Sequence, residues 1–210
     1  MLEIKPKNIE EIIDLKEDIF QTLSDHNMLE EIASKSYVHP NGFAKIVYET
    51  LEGTICRLHI YPPGAVADKN IHDHRWDFSS VTICGALPMS LYRVSEGKGH
   101  ILHSYEKGGA RGHKISRIQS CHASRVKYLS VPKMHGYYMP SDLFHRIEAV
   151  KELTITYVET YPAQRKSCYL VNSEDRSTSG EEEVFVPQAL TVAKVKKVLM
   201  LVARKIQELE

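Results

Sequence analysis

Residues 70–87 read NIHDHRWDFSSVTICGAL, and the rest of the chain is organised around this stretch. His72 and His74 are separated by one residue and lead into a β-rich run. Side chains at positions i and i+2 of an extended strand point to the same face, so both imidazoles can approach one point. Imidazole is a common metal ligand because it can be neutral near pH 7. The pair therefore marks a candidate metal site.

A third histidine lies in a second stretch of similar character. Residues 140–145 read PSDLFH, and the apolar positions after His145 predict another strand. His145 comes 71 residues after His74, which leaves room for several strands between them. Two ligands from one strand and a third from a distant strand are how a β-barrel builds a metal site. His135, ten residues before His145, is an alternative third ligand.

The composition excludes several classes of protein. Lysine plus arginine and aspartate plus glutamate number 27 each, so the net charge of zero indicates neither nucleic-acid binding nor a polybasic membrane contact. The start, MLEIKPKNIEE, has no apolar signal segment, and no run approaches the roughly 18 apolar residues of a membrane-spanning helix. Four widely spaced cysteines without a C-x-x-C pair are typical of free thiols. These features predict a cytoplasmic protein.

Helical patterns occupy both ends of the chain. Apolar residues recur every three or four positions from Asn8, the expected N-cap, to Ser34, and a break places Asp25 and His26 in a solvated loop. Pro187–Leu209 is predicted to be a long amphipathic helix with a basic face. The expected single domain has three parts: a helical extension (1–42), a β-barrel (43–172), and a polar loop with a C-terminal helix (173–210).

Between these ends the sequence has the pattern of short strands. The predicted strands are 44–51, 54–61, 79–84, 87–94, 101–105, 113–118, 125–131, 136–139, 143–150, 153–161 and 167–172. The predicted turns and loops are 39–42, 52–53, 62–70, 95–99, 107–112 and 173–183. Many short strands without intervening helices favour a closed or sandwiched all-β core and argue against a parallel α/β sheet.

These motifs resemble those of the cupin superfamily, whose fold is the double-stranded β-helix, or jelly roll. The first cupin motif corresponds here to Gly64, His72, His74, Asp77 and Gly85. The second contains Pro-x-Gly-x-x-His, of which the proline and the histidine are present as Pro140 and His145. The resemblance covers residues 44–161 and implies a mainly β cupin jelly roll, flanked by the N-terminal and C-terminal helices.

The chain departs from the cupin pattern at the acidic ligand. The glutamate that usually follows the second histidine by four or five positions is replaced by Phe78 and Ser79. The metal ligands that the resemblance implies are therefore His72, His74 and His145. Asp77 is a further candidate, as a fourth ligand or as an acceptor that orients an imidazole, although strand alternation points it to the other face.

The His-Asp-His run and the missing acid are similar to those of cysteine-dioxygenase-like cupins, which use a three-histidine ferrous centre. Three neutral ligands leave a divalent ion its full charge and open positions for substrate or O2. The Ser-x-His-x-Tyr element of that family is absent from residues 154–158, the comparable stretch, which argues against cysteine as substrate. The resemblance implies a divalent metal cofactor, Fe(II), with Mn, Ni, Zn and Cu as alternatives.

Strand alternation places further polar side chains together. Arg57, His59 and Tyr61 share one face of a strand, which is either the barrel interior or the solvent side. In the interior, Arg57 would bind a substrate carboxylate, and His59 and Tyr61 would donate hydrogen bonds or protons. These three are the candidate catalytic residues, and Arg57, Trp76 and Tyr157 are the candidate substrate-binding residues.

Three functions fit these features. The first is Fe(II)- and O2-dependent, dioxygenase-like oxidation of a small polar or carboxylate-bearing molecule. The second is a non-redox isomerase, lyase or hydrolase that uses the metal as a Lewis acid. The third is a metal-free cupin that binds a small molecule. An exposed sheet edge and the apolar face of the C-terminal helix favour a homodimer.

Overall fold

The structure is a computed structural model that describes residues 2–7, 10–39, 42–51, 54–65, 70–107, 113–173 and 188–209. The described strands are β1 (Ile4–Pro6), β2 (Tyr37–Val38), β3 (Ala44–Leu51), β4 (Thr54–Tyr61), β5 (Ile71–His72), β6 (Phe78–Cys84), β7 (Ala86–Lys107), β8 (His113–Pro132), β9 (His135–Met139), β10 (His145–Ile147), β11 (Thr154–Thr160), β12 (Ser167–Asn172) and β13 (Gln188–Ala189). The helices are α1 (Glu10–Ser24), α2 (His26–Lys35) and α3 (Val192–Gln207). The predicted cap at Asn8 and the predicted loops at 40–41, 52–53, 66–69, 108–112 and 174–183 lie outside the described residues.

The strands form two antiparallel sheets. The larger sheet has the order β1-β9-β6-β11-β4-β3-β2-β13, and the smaller has the order β10-β5-β12-β7-β8. From β4 to β12, successive strands alternate between the two sheets, except at the hairpin formed by β7 and β8. This alternation is the winding of a double-stranded β-helix. The predicted mainly β jelly roll with helices at both ends is therefore confirmed.

The larger sheet buries an apolar core on each face. On its outer face, Ile46, Leu58 and Ile155 form one cluster with Ile19 of α1 and Leu199 of α3. On its inner face, a second cluster lies between the sheets and contains Tyr61, Phe78, Leu87, Met89 and Val158. Successive side chains of a strand point to opposite faces, so the outer residues also fix which of their neighbours point inward.

The terminal helices cover the outer face. Asp25 was predicted to lie in a solvated loop, but it is the N-cap of α2 and its Oδ1 accepts hydrogen bonds from the backbone N–H groups of Asn27 (2.9 Å) and Met28 (3.2 Å). His26 is accordingly the first residue of the helix. The cap satisfies N–H groups that have no partner within the helix. None of the described helices is long and apolar enough to span a membrane.

The predicted turn at 95–99 is wrong, because the chain continues there as β7. Glu96 and His100 both pair with Cys121 of β8, so residues 97–99 bulge out of the ladder without ending it. The two predicted strands within 113–131 are likewise one continuous strand. A bulge and a turn both use glycine, so the local sequence does not distinguish them.

Candidate metal centre

His72, His74 and His145 meet at one point between distant parts of the chain. His145 of β10 pairs directly with His72 of β5, and His74 follows two residues later. One possible ligand atom from each imidazole lies within 4.8 Å of those of the other two. The ring centres are separated by 5.1 Å (His72 to His74), 4.6 Å (His72 to His145) and 5.0 Å (His74 to His145). The spacing predicted from the sequence therefore brings the three side chains together.

The hydrogen bonds of the rings indicate which nitrogens are available to a metal. Nδ1 of His72 lies 3.2 Å from the carbonyl oxygen of Asn70, and Nδ1 of His145 lies 3.5 Å from that of Leu143. Donation from Nδ1 leaves the lone pair on Nε2. Nε2 of His74 is buried and has no hydrogen-bond partner among the described residues, which costs about 1–3 kcal/mol unless something satisfies it. The donor set therefore fits a divalent metal ion.

The environment of two of these imidazoles, those of His74 and His145, favours the neutral form. Burial holds the pKa of His74 well below its ordinary value, and the neighbouring His145 and His72 add to the effect. Burial likewise lowers the pKa of His145, assisted by His72 and opposed by the hydrogen bond to Leu143. A metal ion binds the neutral form of histidine, so ligands that resist protonation are suited to binding near neutral pH.

Arg165 ties together the two segments that carry the histidines. Its Nη2 donates to the Asp73 carboxylate at 3.0 Å, to the carbonyl oxygen of Ser141 at 2.6 Å and to the carbonyl oxygen of His74. The buried Asp73 carboxylate also accepts from the backbone N–H of Tyr169 at 2.6 Å. Sequence reasoning noted Asp73 only as the middle residue of the His-Asp-His run, and it missed Arg165, which belongs to no motif and follows Asp73 by 92 residues.

Asp77 is not a member of the three-histidine group. It holds the segment before His145 in place through hydrogen bonds. Its carboxylate accepts from the backbone N–H of Ser141 (2.7 Å), from Nε2 of Gln164 (2.9 Å) and from the hydroxyl of Tyr138. Burial raises the pKa of Asp77, but these hydrogen bonds outweigh burial and hold the pKa below its ordinary value. Of the two roles expected for Asp77, that of a fourth ligand does not match its position.

His135, the alternative third ligand, also lies outside the group. It is half-buried at the start of β9, and its Nδ1 is 3.0 Å from the carbonyl oxygen of Lys133. The group is completed by His145 instead, because β10 pairs with β5 and presents His145 opposite His72.

Arg57 points into the interior and approaches the histidines through Trp76. Leu58 and Ile60 belong to the apolar cluster on the outer face of the larger sheet, which we call the outer core, so Arg57 lies on the inner face of β4. It is 9% exposed, and its Cζ lies 5.1 Å from the ring centre of Trp76. The ring centre of Trp76 is 6.2 Å from that of His74. Trp76 therefore connects the guanidinium to the three-histidine group.

His59 and Tyr61 share this inner face, but Tyr157 does not. The rings of His59 and Tyr61 pack on Phe43, with centre-to-centre distances of 5.1 Å and 4.6 Å. Nε2 of His59 is buried without a hydrogen-bond partner. Tyr157 packs against the outer core, because it has the same strand parity as Ile155. The structure therefore does not bring Tyr157 to the site where it was expected to bind substrate.

The jelly roll and the three-histidine group together are the combination that the cupin resemblance implies. No protein-family model matches the chain, and no curated protein sequence matches it.

Solved structures resemble the chain only weakly. The TT1209 protein of Thermus thermophilus has 15% identity and a TM-score of 0.37, over 64% of this chain and 93% of that one. Oxalate decarboxylase from Bacillus subtilis at pH 4.6 has 12% identity and a TM-score of 0.39, over 65% of this chain and 30% of that one. A hydroquinone 1,2-dioxygenase in complex with Cd2+ and 4-hydroxybenzonitrile has 12% identity and a TM-score of 0.39, over 65% of this chain and 72% of that one. The matched part of this chain thus spans less than a third of oxalate decarboxylase.

Proposed function

We propose that the protein is a mononuclear metal-dependent enzyme that uses Fe(II) and O2 to oxidise a small polar or carboxylate-bearing molecule. The observation that carries this proposal is the buried Nε2 of His74, which lacks a hydrogen-bond partner and lies within the three-histidine group. A ferrous ion held by His72, His74 and His145 would supply the redox chemistry that oxidation by O2 requires. With no carboxylate in the group, the ion would keep its full positive charge and favour an anionic substrate.

Arg57 is suited to bind the carboxylate of that substrate. It is almost fully buried, and no acidic side chain among the described residues forms an ion pair with it. Burial lowers the pKa of Arg57, and Arg75 acts in the same direction, while Tyr37 and Cys56 oppose the shift. A buried cation without an anionic partner is costly, and a substrate carboxylate would provide that partner through the planar guanidinium.

His59, Tyr61 and Trp76 would complete the pocket. His59 has an unpartnered buried nitrogen that can accept or donate one hydrogen bond, according to its tautomer. Burial, together with Lys45 and Arg57, holds the pKa of His59 well below its ordinary value, so the neutral ring is the resting form. Trp76 would hold the Arg57 guanidinium against its face and exclude water between Arg57 and the metal.

Metal analysis and O2 uptake test the proposal. We expect protein reconstituted with iron to bind about one ion per chain and to lose it in the variants His72→Ala and His145→Ala. His26→Ala is the matched control, because His26 is exposed on a helix. O2 consumption that depends on iron and on an added carboxylic acid would support oxidation. A bound metal without O2 consumption would favour the non-redox enzyme, and failure to bind any metal would leave a metal-free binding protein.

A further inference from the structure

Five polar side chains form a row across the inner face of the larger sheet. The backbone register pairs Tyr37 with Lys45, Lys45 with His59, His59 with Thr156, and Thr156 with Thr82. Residues that are directly opposite in neighbouring strands point to the same side of the sheet. The row therefore runs from β2 through β3, β4 and β11 to β6. We call these five residues the polar row.

The direction of the polar row follows from the outer core. Each of its strands has neighbouring residues packed against the helices, and these are Val38, Ile46, Leu58, Ile155 and Ile83. Alternation then turns the polar row toward the space between the two sheets. The three-histidine group is nearby: Arg57, two residues before His59 on the same face, has its Cζ 5.1 Å from the ring centre of Trp76, and that ring centre is 6.2 Å from the ring centre of His74.

Several polar atoms along this face are buried without a partner. They are Nε2 of His59, Oγ1 of Thr82, and Nε of Arg57, which lies two residues before His59 on the same face. A polar atom that is buried and unpaired costs about 1–3 kcal/mol. An interior wall with no ligand to bind would be expected to carry apolar side chains instead, as the outer face does. The wall therefore has hydrogen-bonding capacity that the described part of the chain does not use.

The same wall carries two cations that no carboxylate of the described residues neutralises. Among the described residues, neither Lys45 nor Arg57 forms an ion pair with a carboxylate, and the Lys45 ammonium lies 5.5 Å from the ring centre of Tyr37. Burial lowers the pKa of Lys45 to about 7, and the charge of Arg57 adds to the effect. Keeping two positive groups together in the interior is unfavourable unless a ligand supplies negative charge.

We infer that the polar row, together with Arg57, binds one end of a substrate that carries two acidic groups, while its other end lies at the three-histidine centre. Lys45 and Arg57 neutralise the distal oxyanion, and His59, Thr156 and Thr82 hydrogen-bond along the chain of the substrate. A divalent ion held by His72, His74 and His145 would supply the positive charge that binds the second acidic group. This inference rests on the proposed function and narrows its substrate class from a carboxylate-bearing molecule to a small dianion.

Binding of chemically matched anions tests the inference. The protein is loaded with Co(II), whose visible spectrum reports the three-histidine site, and is titrated with dicarboxylates from malonate to adipate. Each is compared with the monocarboxylate of equal carbon number. We expect at least one dicarboxylate to bind about tenfold or more tightly than its monocarboxylate, because it makes an additional charge-assisted contact.

Variants assign that advantage to the polar row. Lys45→Met should abolish the preference for the dicarboxylate and leave Co(II) affinity within about twofold of wild type, and Thr156→Val should reduce the preference. Lys98→Met is the matched control, since Lys98 is an exposed lysine on β7. If the protein binds Co(II) but binds both kinds of acid with equal affinity, this inference is wrong and the proposed function is unaffected. The same conclusion follows if the preference for the dicarboxylate persists in Lys45→Met. Failure to bind cobalt would overturn the proposed function and the inference with it.

Discussion

Arg165 contacts both segments that form the candidate metal centre, through Asp73 on one side and the carbonyl oxygen of Ser141 on the other. Asp73 lies between two histidines and is 1% exposed, so its charge depends on Arg165 and on the Tyr169 N–H for compensation. Removing the guanidinium would leave a buried carboxylate with one hydrogen bond fewer and two histidine-bearing segments no longer joined. Groups that orient metal ligands commonly change metal affinity by 10- to 100-fold.

Arg165→Met is therefore expected to weaken metal binding by roughly 10- to 100-fold, because the histidines lose their fixed separation. Competition with a chromophoric chelator measures the dissociation constant, and Lys166→Met is the exposed control at the next position. Arg165→Lys should recover only part of the affinity, since one ammonium cannot reproduce the spread of a guanidinium. Equal affinity in Arg165→Met and Lys166→Met would show that Arg165 does not position the ligands.

Lys45 gives a pH-dependent prediction. Its pKa is lowered from 10.5 in an unfolded chain to about 7 in the folded protein, mainly by burial. Between these two values the unfolded chain binds more protons, so the free energy of unfolding rises with pH. The destabilising contribution of Lys45 is therefore fully present below about pH 7 and disappears toward pH 10.5.

Lys45→Met should accordingly stabilise the protein by roughly 1–3 kcal/mol below pH 7, with a smaller gain at each higher pH. Urea unfolding at about pH 6, 8 and 9.5 measures this difference. A gain that does not change with pH would point to packing of the methionine rather than to the lysine charge. If Lys45→Met is more stable than wild type but no longer prefers the dicarboxylate, the lysine is retained for function at a cost in stability.

At the scale of secondary-structure elements, the link from β6 to β7 depends on Gly85. Gly85 has a φ of +71°, and a Cβ there would lie 2.4 Å from the carbonyl oxygen of Leu153. Any other residue would be strained both by its backbone conformation and by this close approach. The glycine therefore lets the chain leave one sheet and enter the other beside β11.

Gly85→Ala is expected to lower the free energy of unfolding by roughly 3 kcal/mol or more, since strain and overlap add. Gly64→Ala is the matched control, with a φ of +76° and nothing within 4 Å of the added Cβ, and it should cost about 1 kcal/mol. Chemical denaturation of both variants gives the comparison. If the two costs were equal, the contact with Leu153 would have no energetic importance.

The elements that were predicted well have strict alternation and clear ends. The predicted bounds of β3, β4 and β12 agree with the structure. By contrast, β1, β2 and β13 have two or three residues each, and only their partners in the sheet hold them extended. The full length of the β7–β8 hairpin was missed because pairing between residues as distant as Ala86 and Pro132 is a tertiary property that local turn signals do not report.

The candidate site, like the strands, was predicted only in part from the sequence. The spacing of the histidines and the alternation of side chains along β4 identified His72, His74, His145 and Arg57 as candidates. Lys45, Thr156 and Arg165 could not be found in this way, because no motif contains them and only the folded chain places them near the histidines. Tyr157 was predicted to bind substrate, but it packs against the apolar cluster on the outer face of the larger sheet.

At the scale of the whole molecule, metal binding should stabilise the fold. The ligands come together only in the folded chain, so a metal at about 100 times its dissociation constant adds about 2.7 kcal/mol. For a chain of 210 residues this corresponds to a rise in Tm of roughly 5–10 °C. Differential scanning calorimetry measures the shift, which should be absent in His145→Ala. A shift that persists in that variant would locate the bound metal elsewhere.

The expected homodimer stays a prediction. β8 is an edge strand of the smaller sheet, and Ile118, Val126 and Tyr128 are exposed on it. An edge of this kind can pair with a second chain, although its basic residues also discourage pairing. Sedimentation equilibrium distinguishes a monomer from a dimer.

The assembly of the three-histidine group has a consequence for synthesis of the protein. His72 and His74 emerge from the ribosome 71 or more residues before His145, and Arg165 emerges later still. Until β10 has been made and has paired with β5, the growing chain offers two imidazoles at most from this group. Contacts between residues so far apart in sequence form slowly. The chain would then bind the metal only after residue 145 has been synthesised. Fragments that end before residue 145 would bind no metal and would remain susceptible to proteases.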